Sequence, residues 1–123
     1  MDGKVRTFRD LIAWQRSMQL AKVLYTVTVS MPKAEQFGLT NQMRRAAVSI
    51  PSNIAEGHAR QSRADYLKHL RVARGSLAEL STQVELAISL KMIPTHQQLN
   101  DLLREVDRIL QALIRSLEQK NDN

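Results

Sequence analysis

The most constraining feature of this 123-residue chain is an apolar spacing of three and four that recurs in four stretches, each bounded by a turn or cap signal. That spacing puts side chains on one face of an α-helix. The first stretch runs from about Leu11 to Ser30. Leu11, Trp14, Met18, Ala21 and Tyr25 form its stripe, behind a capping-box spacing of Thr7 and Asp10. Its β-branched end, Thr26 to Val29, also suits a short strand. No partner strand is evident, so it reads as the helix end. Met31-Pro32 stops the helix, because the residue before proline is pushed out of the α region.

The second stretch spans residues 40–56, with Thr40 as N-cap, Gly57 as terminator and Met43, Ala47, Ile50 and Ile54 as stripe. Pro51 lies inside it and should kink or split the helix, with Ser49 or Asn53 serving the carbonyl it frees at residue 47. The third, residues 62–91, opens on Ser62 and Asp65 and carries Leu67, Leu70, Ala73, Leu77, Leu80, Val84 and Ala87. Gly75 in its interior costs about 1 kcal/mol relative to Ala, which a close helix–helix approach would explain. The fourth, residues 95–119, starts at a Thr95/Gln98 capping box and carries Leu99, Leu102, Val106, Ile109, Leu113 and Leu117. Short connections between four helices imply an all-α protein, an antiparallel up-down-up-down four-helix bundle in a single domain over residues 1–123.

Composition removes several function classes. No cysteine means no disulfide, thiolate zinc site or Cys nucleophile. Five aromatic residues are few for a base-stacking module of the RRM kind. No apolar run is long enough to span a bilayer, and the opening Met-Asp-Gly-Lys-Val-Arg lacks the apolar stretch of a secretory signal. The expectation is a soluble, cytoplasmic protein with no membrane partner.

Two surface features point outward. Beyond one stripe per helix, the first helix adds Ile12, Leu20, Val23, Leu24 and Val27, and the third region adds Val72, Leu86, Leu90 and Ile93. These either widen the core face or form a subunit interface. The charge is local: residues 40–75 hold seven basic and two acidic side chains, net +5, against net +1 for the remaining 87 residues. The seven are Arg44, Arg45, Arg60, Arg63, Lys68, Arg71 and Arg74. In a hairpin turning at 57–61, facing residue numbers would sum to about 119, setting Arg44, Arg45, Arg71 and Arg74 at one level with Arg60 and Arg63 at the tip. Such a cluster either grips phosphates or is neutralised by carboxylates, Glu79 being one candidate for Arg74.

A polar stripe, Ser49, Ser52, Asn53 and Glu56, shares one helix face and reads as a buried network, with Glu79, that orients the arginines. Ser49 has no evident His base and no nucleophile-elbow context, so catalysis has little support. His58, His69 and His96 form no metal motif and read as exposed or hairpin-tip residues, while Trp14 and Tyr66 fill core or interface space. No glycine-rich phosphate loop occurs, and no cofactor is implied.

Three stretches carry a resemblance. They are Asp10-Leu11 with Trp14-Gln15; Gly38-Leu39-Thr40, then Gln42 through Gly57; and Tyr66-Leu67 with Leu70, Ala73-Arg74-Gly75-Ser76 and Glu79-Leu80. In these the chain resembles a bacterial family of four-helix-bundle proteins, the 23S rRNA intervening-sequence proteins. The resemblance implies a four-helix bundle that accommodates Pro51 and assembles as a ring of five subunits, a homopentamer. The family is similar to the accessory variability protein of diversity-generating retroelements, which associates with a reverse transcriptase and nucleic acid. Some relatives are encoded within insertions in 23S rRNA genes. Met31 departs from the aromatic expected before Pro32.

The leading expectation is a non-enzymatic, oligomeric bundle that binds RNA or DNA through the arginines of its second and third helices. The alternative is an interaction scaffold whose arginines hold the oligomer together or receive an acidic protein partner.

Overall fold

In a computed structural model describing residues 4–120, four helices account for most of the chain: α1 (Ile12–Val27), α2 (Leu39–Ala59), α3 (Arg63–Ser89) and α4 (Gln97–Gln119). Three short 3-10 turns, at Phe8–Asp10, Thr28–Ser30 and Lys33–Glu35, flank α1 and lead into α2, and there is no strand among the described residues. α1 packs on α2 and α4, and α3 packs on the same two helices. They enclose one core cluster in which Leu20, Leu24, Met43, Ile50, Ile54, Leu70, Leu80, Leu99, Val106 and Leu110 are fully buried.

The phase of α1 differs from the expected stripe. Ala13, Ser17, Leu20, Leu24 and Val27 face the core, whereas Trp14, Met18 and Ala21 are half-buried and Tyr25 is exposed. Two of these buried positions carry small residues, and the Ser17 hydroxyl enters the core by donating to the Ala13 carbonyl at 2.6 Å. The suspected second apolar face is divided: Leu20, Leu24, Val27 and Ile93 belong to the core, while Ile12, Val72, Leu86 and Leu90 remain exposed.

Several helix ends also differ. The Thr7/Asp10 capping box is present but closes the 3-10 turn, not α1. α1 gives way at Thr28, whose hydroxyl donates to the Leu24 carbonyl at 2.8 Å, and the β-branched run tightens into a 3-10 turn. α2 starts at Leu39 behind Gly38. The Glu35 carboxylate accepts from the Leu39 N–H at 3.2 Å, while Thr40 is buried and its hydroxyl finds no partner among the described residues. α4 is capped by His96, whose Nδ1 accepts from the Leu99 N–H at 3.1 Å, in place of a Thr95/Gln98 box. Ser62 does cap α3, accepting from the Asp65 N–H at 3.0 Å. α2 continues through Pro51, and the Asn53 amide donates to the Ser49 carbonyl and hydroxyl, not to the carbonyl of residue 47.

The two interior glycines depart from their expected roles. Gly57 does not end α2, which runs on to Ala59. A Cβ at Gly57 would lie 2.7 Å from the His69 Cβ, so its absence lets α3 approach. A Cβ at Gly75 would meet nothing within 4 Å. Extending α2 past Gly57 moves the hairpin turn outward. Facing numbers across the α2–α3 seam therefore sum to about 125, as in the 2.8 Å hydroxyl contact of Ser49 with Ser76.

Candidate nucleic-acid interface

That register separates the arginines. A six-residue displacement moves a helical partner by about 9 Å, so Arg44 and Arg45 do not share a level with Arg71 and Arg74. They also face different neighbours. Arg44 is half-buried on the end of α1, its Nε donating to the Thr28 hydroxyl at 3.0 Å and its guanidinium lying 4.7 Å from the Tyr25 ring centroid. Arg45 is exposed at the mouth of a cleft between α2 and α3 that Glu79 also lines. Arg60 lies at the hairpin tip and pairs with Glu56 at 3.0 Å.

Arg71 and Arg74 turn toward α4. Three residues apart, they share a face, and they pair with Glu118 and Asp107 respectively. Glu79 is not the partner of Arg74: five residues apart on a helix is about 140° of rotation. The Glu79 carboxylate instead accepts from the Gln83 amide at 3.2 Å. Arg63 and Lys68 are exposed, and like Arg45 they meet no carboxylate at ion-pair distance among the described residues. The expected patch is therefore divided, with Arg44 against the end of α1, Arg45 at the α2–α3 seam, Arg60 at the tip, and Arg71 and Arg74 in a groove toward α4.

The groove is the largest of these. Between α3 and α4 an open channel of about 830 Å³ carries Arg71 and Arg74 on one side and Arg104 and Arg115 on the other, with Asp107 and Glu118 between them. Leu77, Leu103 and Ile114 form its apolar floor, and the missing side chain of Gly75 opens its wall. Arg104 also pairs with Asp101 at 2.6 Å, whereas Arg115 has no carboxylate partner among the described residues. Four guanidiniums against two carboxylates leave the lining net positive. Counting charge within residues 40–75 missed α4's half of this groove. The signal was its own helical spacing: Arg104, Asp107, Gln111, Arg115 and Glu118 follow steps of three and four.

The polar stripe is not a buried network. Ser49 and Asn53 are half-buried and bond each other, but Ser52 and Glu56 are exposed. The Glu56 carboxyl is held below its usual range first by the Arg60 hydrogen bond and then by nearby His69, whose Nε2 lies at 3.4 Å. The histidines are half-buried and structural rather than exposed: His58 meets Tyr66 edge-on, His69 Nδ1 contacts the Asp65 carbonyl at 2.9 Å, and His96 caps α4. Tyr66 packs on the core, and burial pushes its hydroxyl's pKa up. Trp14 packs edge-on against Phe8 at the rim of an apolar groove between α1 and α2 that Met18, Tyr25, Val48 and Pro51 also line. Among the described residues no three His, Asp or Glu side chains gather to hold a metal ion, and no helix is long and apolar enough to cross a membrane.

The profile of the family described as 23S rRNA-intervening sequence protein matches residues 9–115. A solved structure of a protein with unknown function from the S23 ribosomal protein family of Bacteroides thetaiotaomicron is 26% identical to the chain. It superposes with a TM-score of 0.75, over 85% of this chain and 96% of that one. No curated protein matches.

Proposed function

Given that the chain belongs to the 23S rRNA-intervening sequence protein family, we propose that it is a non-enzymatic bundle that binds nucleic acid, RNA in the first instance. The observation that carries this reading is the α3–α4 groove, with four arginines lining it against two carboxylates. Arg63 extends the row toward the hairpin tip: eleven residues before Arg74, about three turns, it lies on nearly the same face of α3. Guanidiniums so spaced suit a phosphate backbone, which they contact without reading sequence. In this reading the helices run up-down-up-down, the protein works in the cytoplasm, and subunits associate in a ring that repeats the groove and multiplies weak contacts. Exposed Ile12, Tyr25, Val48, Val72, Leu86 and Leu90 support association.

The test replaces Arg115, which lines the groove, and Arg63, which extends its row, with Gln. Neither has an ion pair to lose, so folding is expected to be unchanged. RNA affinity should fall at least tenfold, with a salt dependence shallower by about 0.7 units per lost contact. Unchanged affinity would refute the groove as the interface. The second reading, a scaffold whose arginines hold the assembly or dock a protein partner such as a reverse transcriptase, rests on the Arg71–Glu118 and Arg74–Asp107 pairs already tying α3 to α4. It predicts that Arg71→Gln with Arg74→Gln loses mass in light scattering while RNA binds neither the wild type nor that variant.

A further inference from the structure

Phe37 is the most exposed large apolar side chain among the described residues, at 88% of its full surface, and nothing in the fold explains it. It stands just before α2, at the mouth of a cleft of about 420 Å³ between α2 and α3. From Phe37, the residues at successive steps of four are Asn41, Arg45 and Ser49, a row down the α2 wall of that cleft. The α3 wall presents Glu79 and Ser76, and the Ser76 hydroxyl contacts that of Ser49 at 2.8 Å.

Arg45 and Glu79 are opposite charges lining one cleft, yet they form no ion pair. Glu79 is held from its own helix by the amide of buried Gln83, so its carboxylate is oriented before any ligand arrives. An aromatic face beside a separated donor fork and acceptor pair matches the hydrogen-bonding outline of a nucleobase. Guanine fits best: its O6 and N7 accept from an arginine fork, while its N1–H and N2–H groups donate to a carboxylate. Stacking on an exposed aromatic is the usual way proteins hold a base splayed out of single-stranded RNA.

The geometry points to a single-base pocket, with Phe37 as stacking platform and Arg45 and Glu79 as the reading pair, that takes an unpaired guanine. This deepens the nucleic-acid reading and rests on it. The groove would hold the backbone, and the pocket would add a sequence preference the groove lacks.

The experiment measures fluorescence anisotropy with the full chain and two labelled RNA probes, a uridine-only 12-mer and the same 12-mer with one central guanosine. The wild type should bind the guanosine probe about tenfold tighter. Glu79→Gln should erase that preference while leaving uridine-only binding unchanged, Phe37→Ala should weaken both probes and the guanosine probe more, and 7-deazaguanosine should weaken the contact to Arg45. Circular dichroism melts and solution mass accompany each variant. If both probes bind equally, the pocket is refuted and the groove reading stands. If neither binds, both fail. If Phe37→Ala changes the solution mass without changing the preference, Phe37 is a subunit contact and the base pocket is overturned.

Discussion

At the scale of single residues, the two helical glycines are the sharpest contrast. Gly57 continues the buried stripe of α2 while Gly75 lies on the exposed side of α3, and their neighbours set opposite costs for a side chain. Gly57→Ala drives a Cβ against the His69 Cβ, an atom with little room to retreat, and should cost about 1–3 kcal/mol in urea unfolding. Gly75→Ala adds a methyl to open space and should stabilise the protein by about 1 kcal/mol from helix propensity alone. Two carboxylates set an acid limit. Backbone N–H groups of Arg6 and Thr7 lower the pKa of Asp10 below 3.8, and Arg60, then His69, lower that of Glu56 below 4.5. A carboxyl whose folded pKa is depressed contributes stability above its unfolded pKa and loses it as pH falls through the folded value. Melting temperature should therefore drop below about pH 4.5, and Glu56→Gln with Asp10→Asn should flatten that drop.

At the scale of elements, the count of four helices and most of their stripes were legible because apolar periodicity reports a helix directly. The phase of α1 was not, since counting large apolar residues overlooks Ala13 and Ser17, which are buried in the core face. The register of α2 against α3 was misread for a related reason: a glycine near a helix end looks like a terminator, and taking Gly57 as one misplaced every cross-seam pair. The end of α3 holds a feature no stripe reveals. Lys91 adopts φ 60, and the Met92 and Lys91 N–H groups return to the Ala87 and Ile88 carbonyls, the Schellman arrangement that favours glycine. Lys91→Gly should raise stability by about 1 kcal/mol, measured by thermal unfolding; a loss would show that the lysine side chain matters more than its backbone strain.

At the scale of the whole molecule, a net charge of +6 is less informative than its distribution. Sequence counting located the excess on α2 and α3 but treated it as one patch. The fold divides it, turning Arg71 and Arg74 toward α4 and recruiting Arg104 and Arg115. Side-chain direction around each helix decides this, and direction depends on which helices touch. The central claim is that this divided charge grips phosphates. The most direct test is the salt dependence of wild-type affinity for a uridine-only RNA. About four phosphate contacts predict a slope of log K against log salt near −3, at −0.7 per contact for a single strand. A slope near zero, or no binding at about 50 mM salt, would contradict it.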